Sequence, residues 1–342
     1  MKSIAVVILN YNGKEYLEKF LPTVIGHSPE ATIYVADNCS TDDSVAFMKA
    51  HFPNISLIIN ESNGGFAKGY NDALQHVKEE YYVLLNSDIE VTPNWISPCI
   101  SILESDTSIA AVQPKVLAYN NKAKFEHAGA AGGFLDKDFY PFCQGRIFDH
   151  TEEDNGQYND SKEVFWATGA CLFIRNEKYH EVNGLDEDFF AHMEEIDLCW
   201  RLKARGNKIF YCADATIYHV GGGTLSYQNP KKTYLNFRNS LFMLTKNYQG
   251  ILFFKLFKRL CLDGLAASLF LLKFQFKHFL AVFNAHMAYY GKLGKFLKKR
   301  KIEKHELTAL GKLSGVYKKS IVFGSFLFGK KLFSDLDPND FK

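Results

Sequence analysis

Two carboxylates in this chain sit just beyond apolar strands, where chemistry is most easily placed. Tyr81-Tyr82-Val83-Leu84-Leu85 ends abruptly in Asn86, Ser87 and Asp88. Residues 32–36 run into Asp37, then Asn38-Cys39-Ser40-Thr41-Asp42. In an open α/β sheet, ligands bind in the crevice outside the carboxyl ends of the strands. Asp37 and Asp88 therefore fall along one edge. One could hydrogen-bond a base or ribose while the other faces a divalent cation. Mg²⁺ and its relatives take one or two carboxylates and complete their shell with substrate phosphates and water. A third cluster, Asn63-Gly64-Gly65-Phe66-Ala67 with Gly69 and Asn71, opens a helix. Its glycines let backbone approach a ligand, and its free amides suit an anion. One such cluster alone is an ordinary turn; several in register point to a site.

The elements that must position these groups follow from the pattern. Residues 4–9 form a continuous apolar, β-branched-rich run, as in a parallel strand covered on both faces. Asn10-Tyr11-Asn12-Gly13 follows, then a helix predicted over about 14–25 and interrupted near Pro22. Strands are predicted over 32–36, 55–59, 81–85 and 109–116. Helices are predicted after Ser40 or Thr41, from the glycine cluster to about Lys78, and over 93–103. This alternation implies βαβ units and an α/β fold with a mostly parallel central sheet flanked by helices. Residues 118–162 are the least regular and read as a long loop of functional kind. Residues 164–174 return to a strand pattern, broken by Thr168-Gly169-Ala170. A helix over 193–205 ends at Gly206. Short strands over 208–212 and 216–219 precede a turn at Gly221, Gly222 and Gly223.

At 342 residues the chain can hold one large domain or two. Aromatic residues reach 15% while charged residues remain at 23%, which excludes a disordered chain. The net charge of +2 conceals an asymmetry. Residues 1–245 carry 21 Lys and Arg against 32 Asp and Glu, net −11, and residues 246–342 carry 19 against 6, net +13. The seven cysteines are odd in number and form no CxxC pair, so they read as reduced thiols of a cytoplasmic protein. The apolar run at 4–9 is too short for a signal segment.

From Ile251 the character changes, and Phe and Leu interleave with Lys at helical spacing. The longest uncharged apolar stretch there is about nine residues, short of the roughly 20 that a spanning helix needs. The segment reads as basic amphipathic helices on an anionic membrane surface, with Lys298-Lys299-Arg300-Lys301 towards headgroups. The alternative is a soluble helical subdomain with a solvated basic face. The Phe-rich segment and the acidic first part argue against nucleic acid as a partner.

Taken together, these clusters resemble the family 2 glycosyltransferases, nucleotide-sugar enzymes with the GT-A fold. The branch resembled is the bacterial rhamnosyltransferase-like group that builds surface polysaccharides. The resemblance rests on Asn10-Tyr11-Asn12, on the Asp37, Asn63 and Asp88 clusters, and on Thr168-Gly169-Ala170. It continues in Gly184-Leu185-Asp186-Glu187-Asp188-Phe189-Phe190, in Glu194-Glu195-Ile196-Asp197-Leu198-Cys199-Trp200-Arg201, and in His219. The resemblance covers roughly residues 3–245 and implies a catalytic domain over 1–245; the basic, Phe-rich composition of residues 246–342 reads as a helical extension that associates with a membrane, peripheral on the inner face of the cell membrane. Donor-binding roles are implied for Asn10, Tyr11, Asn12, Asp37, Asn38, Asn63, Gly65, Phe66, Gly69, Asn71, Asn86, Ser87, Asp88 and Arg201. Asp37 would contact the base or ribose. Asp88 matches the last Asp of the family's metal motif, and His219 matches a position that can complete a Mg²⁺ or Mn²⁺ site. The motif's first Asp is Asn86 here, which leaves fewer charged ligands. Trp166, Thr168, Gly169 and Ala170 fall on the acceptor side, with residues 118–162.

The reaction implied is inverting transfer of a sugar from a UDP- or dTDP-sugar to a glycan or lipid-linked acceptor. Inversion needs a base on the face opposite the leaving group, to deprotonate the incoming hydroxyl. The family's base is usually Asp at the position of Glu195; Glu194 and Asp197 are alternatives, and Asp197 could instead orient Arg201. Acid first and base last along 194–205 also suits the helix macrodipole. Two rivals stand beside this reading. A nucleotidyltransferase would carry a basic, Gly-rich phosphate loop where this chain has Asn10-Tyr11-Asn12-Gly13. A non-catalytic scaffold of a polysaccharide-assembly complex is kept open by Asn86 and Glu195.

Overall fold

The β-branched-rich run forms β1 (Ile4–Asn10), followed by α1 (Lys14–His27), β2 (Thr32–Asp37), α2 (Ser44–His51), β3 (Ser56–Ile59), α3 (Gly65–Leu74) and β4 (Tyr81–Asn86). The structure, a computed structural model, describes residues 2–221, 229–306 and 313–342. Gly222 and Gly223 of the expected glycine turn lie outside these. Instead of breaking at Pro22, α1 continues to His27, with Leu17, Leu21 and Val24 buried on either side of the proline. Burying three such side chains, at about 1.5–3 kcal/mol each, outweighs the roughly 3 kcal/mol of an interior proline.

Next come β5 (Ile89–Val91), α4 (Ser97–Ser105) and β6 (Ile109–Ala118). Residues 118–162, expected as a long loop, instead carry β7 (Asn121–Phe125), β8 (Gly133–Asp136), β9 (Pro141–Cys143), β10 (Arg146–Ile147) and β11 (His150–Thr151). Strands of two to five residues are too short to show a period in sequence. They are followed by β12 (Lys162–Val164), β13 (Cys171–Arg175), α5 (Asn176–Glu181), α6 (Glu194–Ala204) and β14 (Lys208–His219). The two strands expected over 208–219 are one, with an irregularity between Cys212 and Thr216. The remainder is α7 (Pro230–Asn247), α8 (Leu252–Leu272), α9 (Phe276–Glu306), β15 (Val316–Tyr317) and α10 (Ile321–Phe328).

The main sheet has the order β12-β14-β6-β13-β4-β1-β2-β3, with β5 on β14 and β7 on β6. β3, β2, β1 and β4 are parallel, and β13 runs antiparallel between β4 and β6. Alternation along the strands divides the core into two layers. Val6, Ile8, Val83 and Leu85 pack with α1, α2 and α4. Ala5, Val7, Tyr82 and Leu84 pack with α3, α6 and α7. Asn10 is in register with Asp37, and Leu9 with Asn86, so the polar ends of β2, β1 and β4 come out level. A second sheet, β11-β10-β9-β8-β15, stands beside the first, and β15 joins it parallel to β8.

Candidate active site

The level strand ends build a polar floor. Asp37 is buried and receives Asn10 Nδ2 at 3.0 Å and the Ser40 amide at 2.8 Å. Asn12 Oδ1 takes the Thr41 amide at 2.7 Å, which joins the β1 and β2 loops. Tyr11 beside it is exposed. Asn38 Nδ2 donates to Asn63 Oδ1 at 3.0 Å and to the Gly65 carbonyl at 3.1 Å. A Cβ on Gly69 would stand 3.0 Å from the Asn38 side chain, so glycine lets α3 approach the β2 loop. Asn71 clasps Leu185 through both backbone groups, at 2.8 and 3.0 Å. The expected donor-side residues on the β1, β2 and β4 loops and α3 are thus brought to one edge.

Asp88 lies between β4 and β5, and β5 pairs with the end of β14 at Ile89–His219. His219 Nε2 therefore meets Asp88 Oδ1 at 3.2 Å, and its Nδ1 stands 3.2 Å from Glu126 Oε2. All three side chains are buried. Burial disfavours a charged imidazole, yet the flanking Asp88 and Glu126 carboxylates push the His219 pKa up to about 10. Burial likewise works against the Glu126 carboxylate, but His219 holds its pKa down at about 2. Two ligands at right angles and about 2.1 Å from a small divalent ion stand about 3.0 Å apart. The Asp88–His219 spacing fits that geometry. A cation bound at Nε2 would take the place of the proton that Asp88 now faces, leaving the neutral imidazole with its Nδ1 N–H towards Glu126. Among the described residues no group of three or more such side chains forms a full cage; a site shared with substrate phosphates needs none.

The Asn86 amide donates to the Ala170 carbonyl at 2.9 Å, which ties the Asp88 loop to residues 168–170. A Cβ on Gly169 would lie 3.0 Å from Phe66 Cζ and 3.6 Å from Glu195 Cβ. Glu195 therefore opens onto the same edge. It is half-buried, whereas Glu194 is fully buried. Oε2 of each is buried without a hydrogen-bond partner. Burial pushes the Glu195 carboxyl up to about 7. Burial, with Glu195 next to it, also raises Glu194 well above the usual carboxylate range. Asp197 is different: Arg201 Nε at 2.8 Å, Lys246 Nζ at 2.9 Å and Asn247 Nδ2 at 2.7 Å occupy its oxygens. Burial opposes ionisation there, but Lys246 and Arg201 keep its pKa low. Its saturated carboxylate has little left to offer a proton.

α6 is entered through a strained turn. Phe190, His192 and Met193 have φ of 68°, 70° and 73°, the left-handed region, although none is glycine. The Ala191 amide bonds the Phe189 carbonyl two residues back at 2.8 Å, closing a γ-turn. Backbone of this kind costs about 1–3 kcal/mol per residue and persists only where the surroundings impose it. The Phe190 carbonyl in turn receives the Ala67 amide at 3.3 Å. A Cβ on Gly65, itself at φ +82°, would lie 2.3 Å from that carbonyl oxygen. α3 and the turn leading to Glu195 are therefore in direct contact.

Other expected residues lie deeper. Trp166 is buried, with its indole N–H on the Phe134 carbonyl at 3.0 Å and its ring against Gly133. Arg201 is buried and spends its donors on Asp197 and on the carbonyls of Val182 and Gly184. Thr168 is fixed by Gln113, whose Oε1 accepts its amide at 2.9 Å. Sequence reading missed Glu126, Gln113 and Asn239. Glu126 stands 93 positions from its partner His219 and carries no local signal.

Residues 5–182, just over half of the chain, match the profile described as glycosyl transferase family 2. The N-acetylglucosaminyl-diphospho-decaprenol L-rhamnosyltransferase of Mycobacterium tuberculosis is 22% identical over 63% of this chain and 75% of its own. Rhamnosyltransferase WbbL of Escherichia coli K12 is 26% identical over 61% of this chain and 80% of its own. Two solved structures share the fold. The mannosyltransferase PcManGT of Pyrobaculum calidifontis, in complex with GDP-Man and Mn²⁺, aligns over 89% of this chain and 85% of its own, at 13% identity and a TM-score of 0.50. GalNAc-T7 with UDP, GalNAc and Mn²⁺ aligns over 64% of this chain but only 43% of its own, at 16% identity and a TM-score of 0.52. The fold is GT-A, and the chain belongs to glycosyl transferase family 2, with rhamnosyltransferase-like relatives.

Proposed function

We propose that the protein transfers a sugar, with inversion, from a UDP- or dTDP-sugar to a glycan or lipid-linked acceptor in surface-polysaccharide synthesis. The observation that carries this is the shared edge: the loop that holds Asp88 with His219 is tied to Ala170, and Glu195, with an unpartnered oxygen, stands against the adjacent Gly169. Asp37 and the β2 loop hold the nucleoside, and the α3 N-terminus lies beside the diphosphate. Asp88 and His219 would hold Mg²⁺ or Mn²⁺, which when bound neutralises the departing diphosphate. Glu195 accepts the proton of the acceptor hydroxyl, and Glu194 stays protonated beside it. The name of the mycobacterial relative, with its diphospho-decaprenol, supports a lipid-linked acceptor.

We further place the extension over 246–342 against an anionic membrane on the cytoplasmic side. No described helix is long and apolar enough to cross a membrane. Yet α8 is inside-out: Arg259 and Asp263 are buried, while Phe253, Phe254, Phe257, Leu265 and Leu269 are exposed. At the α8–α9 turn, Leu272 is 75% and Phe274 80% exposed, on either side of Lys273. Apolar side chains among lysines suit the headgroup boundary of an anionic bilayer.

A thermal-shift screen of UDP-, dTDP- and GDP-sugars with and without Mn²⁺ tests the assignment. A donor at 100 times its Kd stabilises by about 2.7 kcal/mol. One of the first two classes should raise Tm, only with Mn²⁺, and Asp88→Ala should abolish the shift while the free protein melts as before. If no nucleotide sugar is bound, or Asp88→Ala binds normally, the reading fails.

A further inference from the structure

We infer that the helical extension is part of the catalytic machinery, with Lys295 and Lys299 of α9 as positioning residues for Glu195. The inference rests on Glu195 as the base. Its starting point is the left-handed run at Phe190, His192 and Met193, immediately before Glu194 and Glu195. Such backbone needs surroundings that over-determine it, and they come from α7 and α9.

α7 holds the turn from its carbonyl side. Asn239 is fully buried, and its Nδ2 lies 3.0, 2.8 and 2.7 Å from the carbonyl oxygens of Phe189, Ala191 and His192. Arg238 adds a bond to the Phe189 carbonyl at 2.9 Å. α9 holds the entry to the turn. Lys292, Lys295 and Lys299 converge on the Asp188 carboxylate at 3.2, 2.6 and 2.7 Å. Lys299 also reaches Asp186, whose other oxygen receives Lys246 at 2.7 Å.

One exposed ion pair contributes little. Three lysines spaced along one face of a helix and aimed at one carboxylate are a network, and it fixes where Asp188 stands. Asp188 is three residues before Ala191, at the head of the strained turn. A lateral error there is carried through rigid backbone into the Glu195 side chain. A misplacement of about 1 Å can cost about a hundredfold in rate. The lysines that set the aim thus lie more than a hundred positions further along the chain than the Asp188 they hold.

The test uses the full chain with Lys295→Met and Lys299→Met together. Hydrogen exchange of the peptide over 186–195 is read beside that over β1, in the absence of substrate. Exchange at 186–195 should quicken at least about tenfold while β1 stays protected. Affinity for UDP with Mn²⁺, read by calorimetry, should be unchanged. Turnover with the donor class found by thermal shift should fall between about tenfold and a hundredfold, and Lys299→Arg should retain most of it. If the double variant fails to fold, the exposed Lys295→Met alone carries the same test, with a change of about threefold in exchange and turnover. Wild-type exchange at 186–195 with wild-type turnover, in a folded variant, overturns the inference. Faster exchange with unchanged turnover also overturns it. Should Glu195→Gln prove fully active, the base assignment falls, whereas the exchange result still decides whether α9 holds the turn.

Discussion

Replacing Glu195 by Gln keeps the shape of the side chain and removes its capacity to take a proton. If Glu195 is the base, turnover should fall by about 10²–10⁴, the usual contribution of general-base catalysis. At about 1.36 kcal/mol per decade that is roughly 3–5 kcal/mol of transition-state stabilisation. Donor affinity should not move, because the diphosphate side of the site is built from other residues. The pH dependence is a sharper signature. Burial holds the Glu195 carboxyl at about 7, so the proton leaves only as pH rises through that value. The reactive carboxylate should make up about a tenth of the enzyme at pH 6 and about nine tenths at pH 8, which gives an acidic limb of unit slope. Glu195→Asp should restore substantial activity with the limb moved to lower pH, since Asp is intrinsically the stronger acid. The assay is steady-state transfer at saturating donor over pH 5.5–9 in wild type and both variants. Near-normal transfer by Glu195→Gln, or a pH profile flat below 8, would refute the assignment. The same raised carboxyl bears on folding with the opposite sign. It favours the fold fully below the unfolded-chain value, and that contribution is lost as pH climbs through about 7.

Two other outcomes follow from the geometry. Gly65→Ala puts a methyl 2.3 Å from the Phe190 carbonyl at φ +82°, so it should cost at least about 1–3 kcal/mol and slow transfer; an unchanged denaturation midpoint would contradict the contact. Phe274→Asp, at the tip of the α8–α9 hairpin, should weaken sedimentation with vesicles containing phosphatidylglycerol while leaving donor-induced thermal shifts intact, and equal partitioning of variant and wild type would remove the membrane placement.

Most of the polar edge at the strand ends was legible in sequence. Asn10, Asp37 and Asn86 each interrupt a buried apolar run, and parallel strands in register turn three separate interruptions into one line. What was hidden depends on distance along the chain. The His219–Glu126 contact joins the end of β14 to the residue just after β7, two segments that both pair with β6 and that no local pattern links. Residues 118–162 looked like a loop because their strands are too short to show a period. The charge split between the first 245 residues and the remainder is the clearest case. It was read as attraction to a membrane, yet part of it is internal. Lys246, Lys292, Lys295 and Lys299 answer Asp186, Asp188 and Asp197, and Lys255 and Lys258 answer Asp138. Composition gives the sign of a segment's charge but not which partner neutralises it.

The second sheet also sets an order of events during synthesis. β8 is completed on one side by β15, and Asp136 at the end of β8 receives the Ile321 amide at 2.9 Å from 185 positions downstream. Ribosomes add about 5–20 residues per second, so roughly 10–40 s separate the emergence of the two partners. Throughout that interval β8 is an open edge with unpaired amides and carbonyls, the kind of edge that recruits other chains. The closing step brings together segments far apart in sequence, and its loop-closure cost makes it slow. The nascent chain is therefore most exposed to misassembly while its parallel strands β1–β4 are already made, and a chaperone that acts late in translation should raise the yield more than one that acts early.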